Sequence, residues 1–125
     1  MYIPLLVGLG GFIGAIMRYA VGGWIQNSVV SFPLGTFGVN VLGSYLLALV
    51  MYLSEYTGMV NAEVRVFFGI GMLGAFTTMS TFSYESFRLL ERHELLLFSA
   101  NVIGTLVFTM AAVYLGRLTV MHYWR

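Results

Sequence analysis

The stretch GAFTTMSTFS, from Gly74 to Ser83, interrupts an apolar segment that runs from about residue 65 to residue 89. Half of its side chains carry hydroxyl groups: Thr77, Thr78, Ser80, Thr81 and Ser83. Because such hydroxyls compete with a helix for its backbone hydrogen bonds, the pattern predicts that the helix is broken here. At membrane depth, non-helical backbone is tolerated where it is buried in protein or lines a cavity. The stretch is therefore a candidate ion or substrate site.

Composition predicts that the chain lies in a membrane. Hydrophobic residues make up 59% of its 125 residues and charged residues 9%. A soluble domain typically has roughly 45–50% apolar and roughly 25% charged residues, so this chain lacks the polar surface that water requires. The first apolar run has no basic region and no cleavage site of a signal peptide, and we expect it to be retained.

Several classes of function are disfavoured by what the sequence lacks. It has no cysteine, so neither a disulfide framework nor a cysteine metal site is expected. A net charge of +1 argues against nucleic acid as a partner. There is no GxxxxGK[ST] phosphate-binding loop, which argues against ATP as the energy source.

Four apolar spans are visible, at about residues 3–24, 34–53, 63–89 and 95–118. Each has about the 20 residues that a helix needs to cross the hydrocarbon core. We therefore predict an all-α integral membrane protein, with four transmembrane helices forming a single domain over residues 1–125. The spacing of Gly10 and Gly14 predicts a face on which the first helix packs closely against another.

The positive charges give almost no preference for one orientation in the membrane. One side is predicted to hold Arg65, Arg117 and Arg125, and the other Arg88 and Arg92, with Arg18 near it inside the first span. A chain without a clear positive-inside bias is expected to insert both ways up. Four helices enclose little space, and two-fold dimers are the commonest assembly. We predict an antiparallel, dual-topology homodimer in the lipid bilayer.

Two polar ladders run along the second and fourth spans. Each has an i, i+4, i+8 spacing that places its members on one stripe of a helix: Thr36, Asn40 and Ser44, and then Asn101, Thr105 and Thr109. Together with the break, they could line a narrow polar path. The alternative is that these side chains hold neighbouring helices together by hydrogen bonds.

The charges inside the spans favour an anion on such a path. Spans one, two and four carry no acidic residue away from their ends, and span one carries Arg18. Hydroxyls, the Asn40 amide and the ring edge of Phe82 offer partial positive charge to an anion. Without a full positive charge the ion is bound weakly enough to leave quickly, as a conducting pore requires.

Three motifs in order resemble the CrcB, or Fluc, fluoride channels. They are GGFIGAIMRY at residues 10–19, GTFGVNVLGS at 35–44 and GMLGAFTTMSTFS at 71–83. The resemblance covers essentially the whole chain. It implies a passive fluoride-selective channel and not an enzyme, which exports fluoride through two pores of an antiparallel homodimer in a bacterial inner membrane.

The resemblance also implies roles for individual residues. Asn40 would be a pore-lining donor and Phe82 a pore phenylalanine. The backbone carbonyls of Gly74 and Thr77 from both subunits would surround a structural Na⁺ on the dimer axis. The remaining residues of the predicted pore lining are Ser80, Thr81, Ser83, Asn101, Thr105 and Thr109.

Met79 departs from the family pattern. Members of the family usually have TTFSTFS, where this chain has TTMSTFS, so Met79 stands where a second pore phenylalanine is expected. Methionine is flexible and polarizable, but it has no ring edge. The departure bears on the rate of conduction more than on the fold.

Other interpretations remain open at this point. Arg18 is a structural cation near a helix end or a partner of Glu85, or it raises the local concentration of anions. A proton-coupled small-substrate exporter of similar architecture would need a titratable residue, for which Glu85 is the acid on offer. A membrane subunit that transports nothing would leave the two ladders unexplained.

Overall fold

A computed structural model describes residues 2–27 and 31–124, and this part of the chain contains helices but no β-strand. Four helical stretches are long and apolar enough to cross a membrane: Ile3–Gln26, Leu34–Thr57, Ala62–Glu91 and Leu95–Tyr123. The protein is thus a multi-pass, all-α membrane protein. These helices continue past the predicted ends of the spans, by five residues in the last of them.

The first, second and fourth spans are single helices, which we call α1 (Ile3–Gln26), α2 (Leu34–Thr57) and α6 (Leu95–Tyr123). The third span contains four segments. They are α3 (Ala62–Val64), a π-helical segment π1 (Arg65–Leu73), α4 (Gly74–Phe76) and α5 (Met79–Glu91).

Two residues between α4 and α5 have extended backbone. Thr77 has φ −87° and ψ 158°, and Thr78 has φ −151° and ψ 122°. The hydroxyl of Thr78 accepts a hydrogen bond from the Thr81 N–H at 3.2 Å and so caps the N-terminus of α5. The Thr78 hydroxyl thus satisfies a backbone N–H that a continuous helix would pair with a carbonyl four residues earlier.

Glycines bring α1 against the third span. A Cβ on Gly14 would collide with the carbonyl oxygen of Met72, and one on Gly10 with the carbonyl oxygen of Phe67. The Cβ of any larger residue would therefore force the two backbones apart. The close packing expected from the Gly10 and Gly14 spacing is confirmed, and the partner is π1.

The buried core lies where α2 meets the third span. Val39, Leu73 and Phe76 form it, with Leu46 and Leu47 packed around them. On the other side, α2 packs against α6, where Gly116 leaves room for Ala48. Most large apolar side chains on the outer faces are exposed, as expected for surfaces that meet lipid.

Candidate ion-binding site

The side chain of Asn40 holds the extended backbone of Thr78. Its Oδ1 accepts from the Thr78 N–H at 2.8 Å, and its Nδ2 donates to the Thr78 carbonyl at 3.1 Å. Asn40 is 8% exposed, so these bonds are made away from bulk water. One amide on α2 therefore satisfies both backbone groups of a residue that a continuous helix would otherwise pair.

The same bonds redirect two helical donors. In a continuous helix, the Thr78 N–H would donate to the carbonyl of Gly74, and the Thr81 N–H to the carbonyl of Thr77. Here they donate to Asn40 Oδ1 and to the Thr78 hydroxyl instead. The carbonyls of Gly74 and Thr77 thus lose their regular donors.

Carbonyl oxygens released at a break in a transmembrane helix are suitable ligands for Na⁺. Residues 2–27 and 31–124 contain no group of three or more His, Cys, Asp or Glu side chains that could hold a metal ion. A cation at this break would be held by neutral oxygens, those of the main chain or of hydroxyl and amide side chains. The donor set that the resemblance implied, Gly74 and Thr77, fits a hard monovalent cation chemically.

Arg18 bonds to the same segment. Its Nε donates to the carbonyl of Ala75 at 3.1 Å. A cavity of about 510 Å³ beside it is lined by both Arg18 and Glu85. Over the described residues, no ion pair joins these two side chains, and one carboxylate oxygen of Glu85 is buried without a hydrogen-bond partner. The predicted pairing of Arg18 with Glu85 is therefore absent, and Arg18 contacts the backbone before the break instead.

A second cavity of about 400 Å³ lies against the extended segment. Its polar wall combines the two ladders with the break, and Met79 and Phe82 stand beside them. The polar lining residues are Asn40, Ser44, Thr77, Thr78, Thr105 and Thr109. Among residues 2–27 and 31–124, no Asp, Glu, Arg or His lines this cavity, so the polarity of its described wall comes from hydroxyl, amide and backbone dipoles.

Other predicted site residues lie elsewhere. Thr81 lines the cavity of Arg18, while Ser80 and Ser83 are exposed on the surface of α5. Asn101 is 2% exposed, and its Nδ2 donates to Ser86 Oγ at 2.8 Å. The structure therefore shows Asn101 in a buried contact between α5 and α6, and not on the wall of the 400 Å³ cavity.

Two contacts of the site had no signal in the sequence. Ser86, the partner of Asn101, belongs to no ladder, and the carbonyl of Ala75 that binds Arg18 is a main-chain atom common to all residues. Ser86 lies in the charged end of the third span, where a serine is unremarkable by composition. Only the packing of α5 against α6 reveals its role.

The chain resembles known proteins along almost its full length. Residues 5–117 match the family model described as CrcB-like protein, Camphor Resistance (CrcB). A protein of Methanosarcina barkeri named "Fluoride-specific ion channel FluC 3" is 60% identical over 94% of this chain and 89% of its own length.

Two further relatives carry related names. "Fluoride-specific ion channel FluC 1" of Methanosarcina acetivorans is 57% identical over 98% of this chain and 93% of its own length. "Fluoride-specific ion channel FluC" of Geotalea daltonii is 42% identical over 93% of this chain and 94% of its own length. The family model covers well over half of the chain, and these relatives are similar over nearly all of it. The chain therefore belongs to the CrcB-like family.

Proposed function

We propose that this protein is a passive, fluoride-selective channel formed by two antiparallel copies of the chain. The observation that carries the proposal is the 400 Å³ cavity, which meets the extended backbone of Thr77 and Thr78 in the middle of an apolar span. The names of the relatives support fluoride as the ion.

A second copy would cover the start of α5, which one chain leaves exposed. Met79 is 73% exposed, and Ser80 and Ser83 are exposed beside it, on the helix that follows the break. Each unsatisfied backbone polar group facing lipid costs several kcal/mol, so non-helical backbone must be buried in protein or line a wet cavity. An antiparallel copy would cover this face and close the open side of the cavity.

The cavity suits a small anion better than a cation. No carboxylate among the described residues lines it to attract a cation, while Asn40 and the hydroxyls of its wall contain hydrogen-bond donors. Phe82 adds a ring whose edge carries partial positive charge. Dipoles without a formal charge hold the ion loosely, and loose binding permits rapid release.

Fluoride would leave the cell down its electrochemical gradient. No coupling reaction is required for this direction, since an anion is driven outward by a membrane potential that is negative inside. The membrane in question is predicted to be the inner membrane of a bacterium, from the resemblance stated above.

A structural Na⁺ at the dimer interface completes the proposal. The carbonyls of Gly74 and Thr77, which have lost their helical donors, would hold it in each subunit. The ion would supply a fixed positive charge that joins the two broken segments. In this chain, Asn40 contributes by keeping the Thr78 N–H away from the carbonyl of Gly74.

Ion efflux from proteoliposomes tests the channel directly. Vesicles are loaded with the potassium salt of fluoride or chloride. A potassium ionophore lets potassium leave with the anion, so that no opposing potential builds up, and an ion-selective electrode measures the anion released. We expect rapid fluoride loss, retained chloride, and no effect of abolishing the proton gradient. Retained fluoride in vesicles that contain folded dimer would refute the proposal.

A proton-coupled exporter is the second candidate, because of Glu85. One of its carboxylate oxygens is buried without a hydrogen-bond partner, and its side chain lines the Arg18 cavity. This candidate requires a saturable flux that stops when the proton gradient is removed. The same vesicles distinguish the two functions, since a passive channel conducts in both conditions.

A further inference from the structure

Most of the hydroxyl groups that line the 400 Å³ cavity already donate their protons in hydrogen bonds within the protein. A serine or threonine hydroxyl has one proton to donate, and an anion can be bound only by a donor that still has one. The hydrogen bonds of the lining residues therefore show which of them can face an anion. This inference rests on the proposed function and identifies the residues that carry it out.

The threonines of the cavity wall direct their protons into the protein. Thr77 Oγ1 donates to the carbonyl of Leu73 at 3.1 Å. Thr109 Oγ1 donates to the carbonyl of Thr105 at 2.7 Å, and Thr105 Oγ1 donates to Asn101 Oδ1 at 3.4 Å. In this arrangement, these three hydroxyls present oxygen lone pairs to the cavity, which repel an anion.

Thr78 is committed as well. Its hydroxyl accepts from the Thr81 N–H and shares a hydrogen bond with Ser80 Oγ at 3.3 Å. Both of its backbone groups are bound by Asn40. When Thr78 is the donor to Ser80, neither the break nor α6 offers an uncommitted hydroxyl proton to the cavity through its threonines.

Two donors on α2 remain. The Asn40 side chain has two N–H groups, of which one is used on the Thr78 carbonyl. Ser44 also lines the cavity, and no hydrogen bond engages its hydroxyl among residues 2–27 and 31–124. The two residues are four apart on one helix and lie on the same face, about 6 Å apart along the axis.

We propose that the hydroxyl of Ser44 and the second N–H of Asn40 form the anion-binding pair of the cavity. A small anion without hydrogen-bond donors of its own matches two converging donors, and both are neutral, so the ion is not trapped. The threonines of α6 would then shape and hydrate the wall, and their protons would reach the ion only after their present hydrogen bonds break.

Conductance of single-residue variants in planar bilayers with sodium fluoride tests this pair. Ser44→Ala removes the hydroxyl and is expected to lower fluoride conductance roughly tenfold or more, the effect of losing one hydrogen bond to a charged partner. Ser44→Thr keeps a hydroxyl and is expected to lose less conductance than Ser44→Ala. Thr109→Val is expected to lose less than Ser44→Ala, since its proton is used on Thr105.

Ser54→Ala is the matched control. Ser54 lies on the same helix, but its hydroxyl donates to the carbonyl of Val60 at 3.4 Å and takes no part in the cavity lining. Each variant is first compared with the unaltered protein by size-exclusion chromatography. Alanine favours the helix at both positions, so both substitutions are expected to fold.

The outcomes are distinct. Normal conductance of Ser44→Ala, a greater loss in Thr109→Val, or a correctly assembled Ser44→Thr that conducts no better than Ser44→Ala would each overturn the assignment of Ser44 while the channel itself stands. If the unaltered protein conducts no fluoride, the proposed function fails, and this inference fails with it.

Discussion

At the scale of single residues, Asn40 determines the geometry of the site. Its amide replaces the helical partners of Thr78 with two hydrogen bonds from a neighbouring helix. This arrangement keeps two residues extended inside an apolar span, takes the helical donors from two carbonyl oxygens, and places the extended residues at the wall of a cavity. Met79 and Phe82 both line that cavity. Met79 contributes a thioether, and Phe82 contributes an aromatic ring.

Replacing Asn40 by leucine is expected to destabilise the folded protein by about 2–6 kcal/mol. The N–H and the carbonyl of Thr78 would both lose their partner, at about 1–3 kcal/mol for each buried group. Asn61→Ala is the control, because Asn61 caps α3 at an exposed position and should cost only about 1 kcal/mol. Denaturant unfolding in detergent measures both, and equal losses would contradict the role of Asn40.

Met79→Phe is expected to raise the fluoride flux and leave chloride excluded. The ring adds an edge of partial positive charge at a position that lines the cavity, which the thioether lacks. Met110→Phe is the control, since Met110 is also exposed but does not line the cavity. Efflux from proteoliposomes gives both rates. A folded Met79→Phe protein without fluoride flux would show that this position does not favour a ring edge.

At the scale of helices, glycines allow the third span to approach α1. Gly14 and Gly10 face backbone atoms of π1 with no room for a side chain. The contact fixes the position of the segment before the break along the axis of α1. Arg18 lies one turn after Gly14 on that helix, and its Nε donates a hydrogen bond to the carbonyl of Ala75. The helix contact and the position of the broken segment are therefore coupled.

Gly14→Ala is expected to destabilise the protein by about 1–3 kcal/mol, because its Cβ would overlap the Met72 carbonyl and push two backbones apart. Gly8→Ala is the matched control on the same helix, where nothing lies within 4 Å of an added Cβ. That substitution should be neutral or stabilise by up to about 1 kcal/mol through helix propensity. Similar unfolding curves for the two variants would contradict the close packing of α1.

Much of this fold could be predicted from the sequence because it depends on local properties. Four apolar runs give the spans, and five hydroxyls in GAFTTMSTFS mark where the helical pattern fails. Contacts between elements could not be predicted in the same way. The spacing of Asn101 with Thr105 predicted a place on the path, but Ser86, which determines where its amide points, lies on another helix.

At the scale of the whole molecule, the proposed channel needs a second copy of the chain. Its cavity is open on the side where Met79 is exposed, and the broken segment has carbonyls without their helical donors. A second antiparallel copy would supply the missing wall, and a cation between the copies would satisfy those oxygens. The sequence predicts nearly balanced arginines on the two sides of the membrane, and the proposed dimer needs a chain that inserts in both orientations.

Removal of Na⁺ is expected to weaken this dimer. A ligand present at 100 times its dissociation constant stabilises the folded state by about 2.7 kcal/mol, and replacement of sodium by choline removes that contribution. Thermal unfolding in detergent, with the oligomeric state followed by chromatography, measures the loss. Identical unfolding in sodium and choline would remove the cation from the proposal and leave the pore intact.

The zero-current potential of a bilayer containing the protein tests passive fluoride selectivity most directly. With a tenfold gradient of fluoride and equal chloride on both sides, a fluoride-selective conductor gives a potential of about 59 mV in magnitude. We expect that value, unchanged when the two solutions differ in proton concentration. A potential near zero, or one that follows the proton gradient, would contradict a passive fluoride channel.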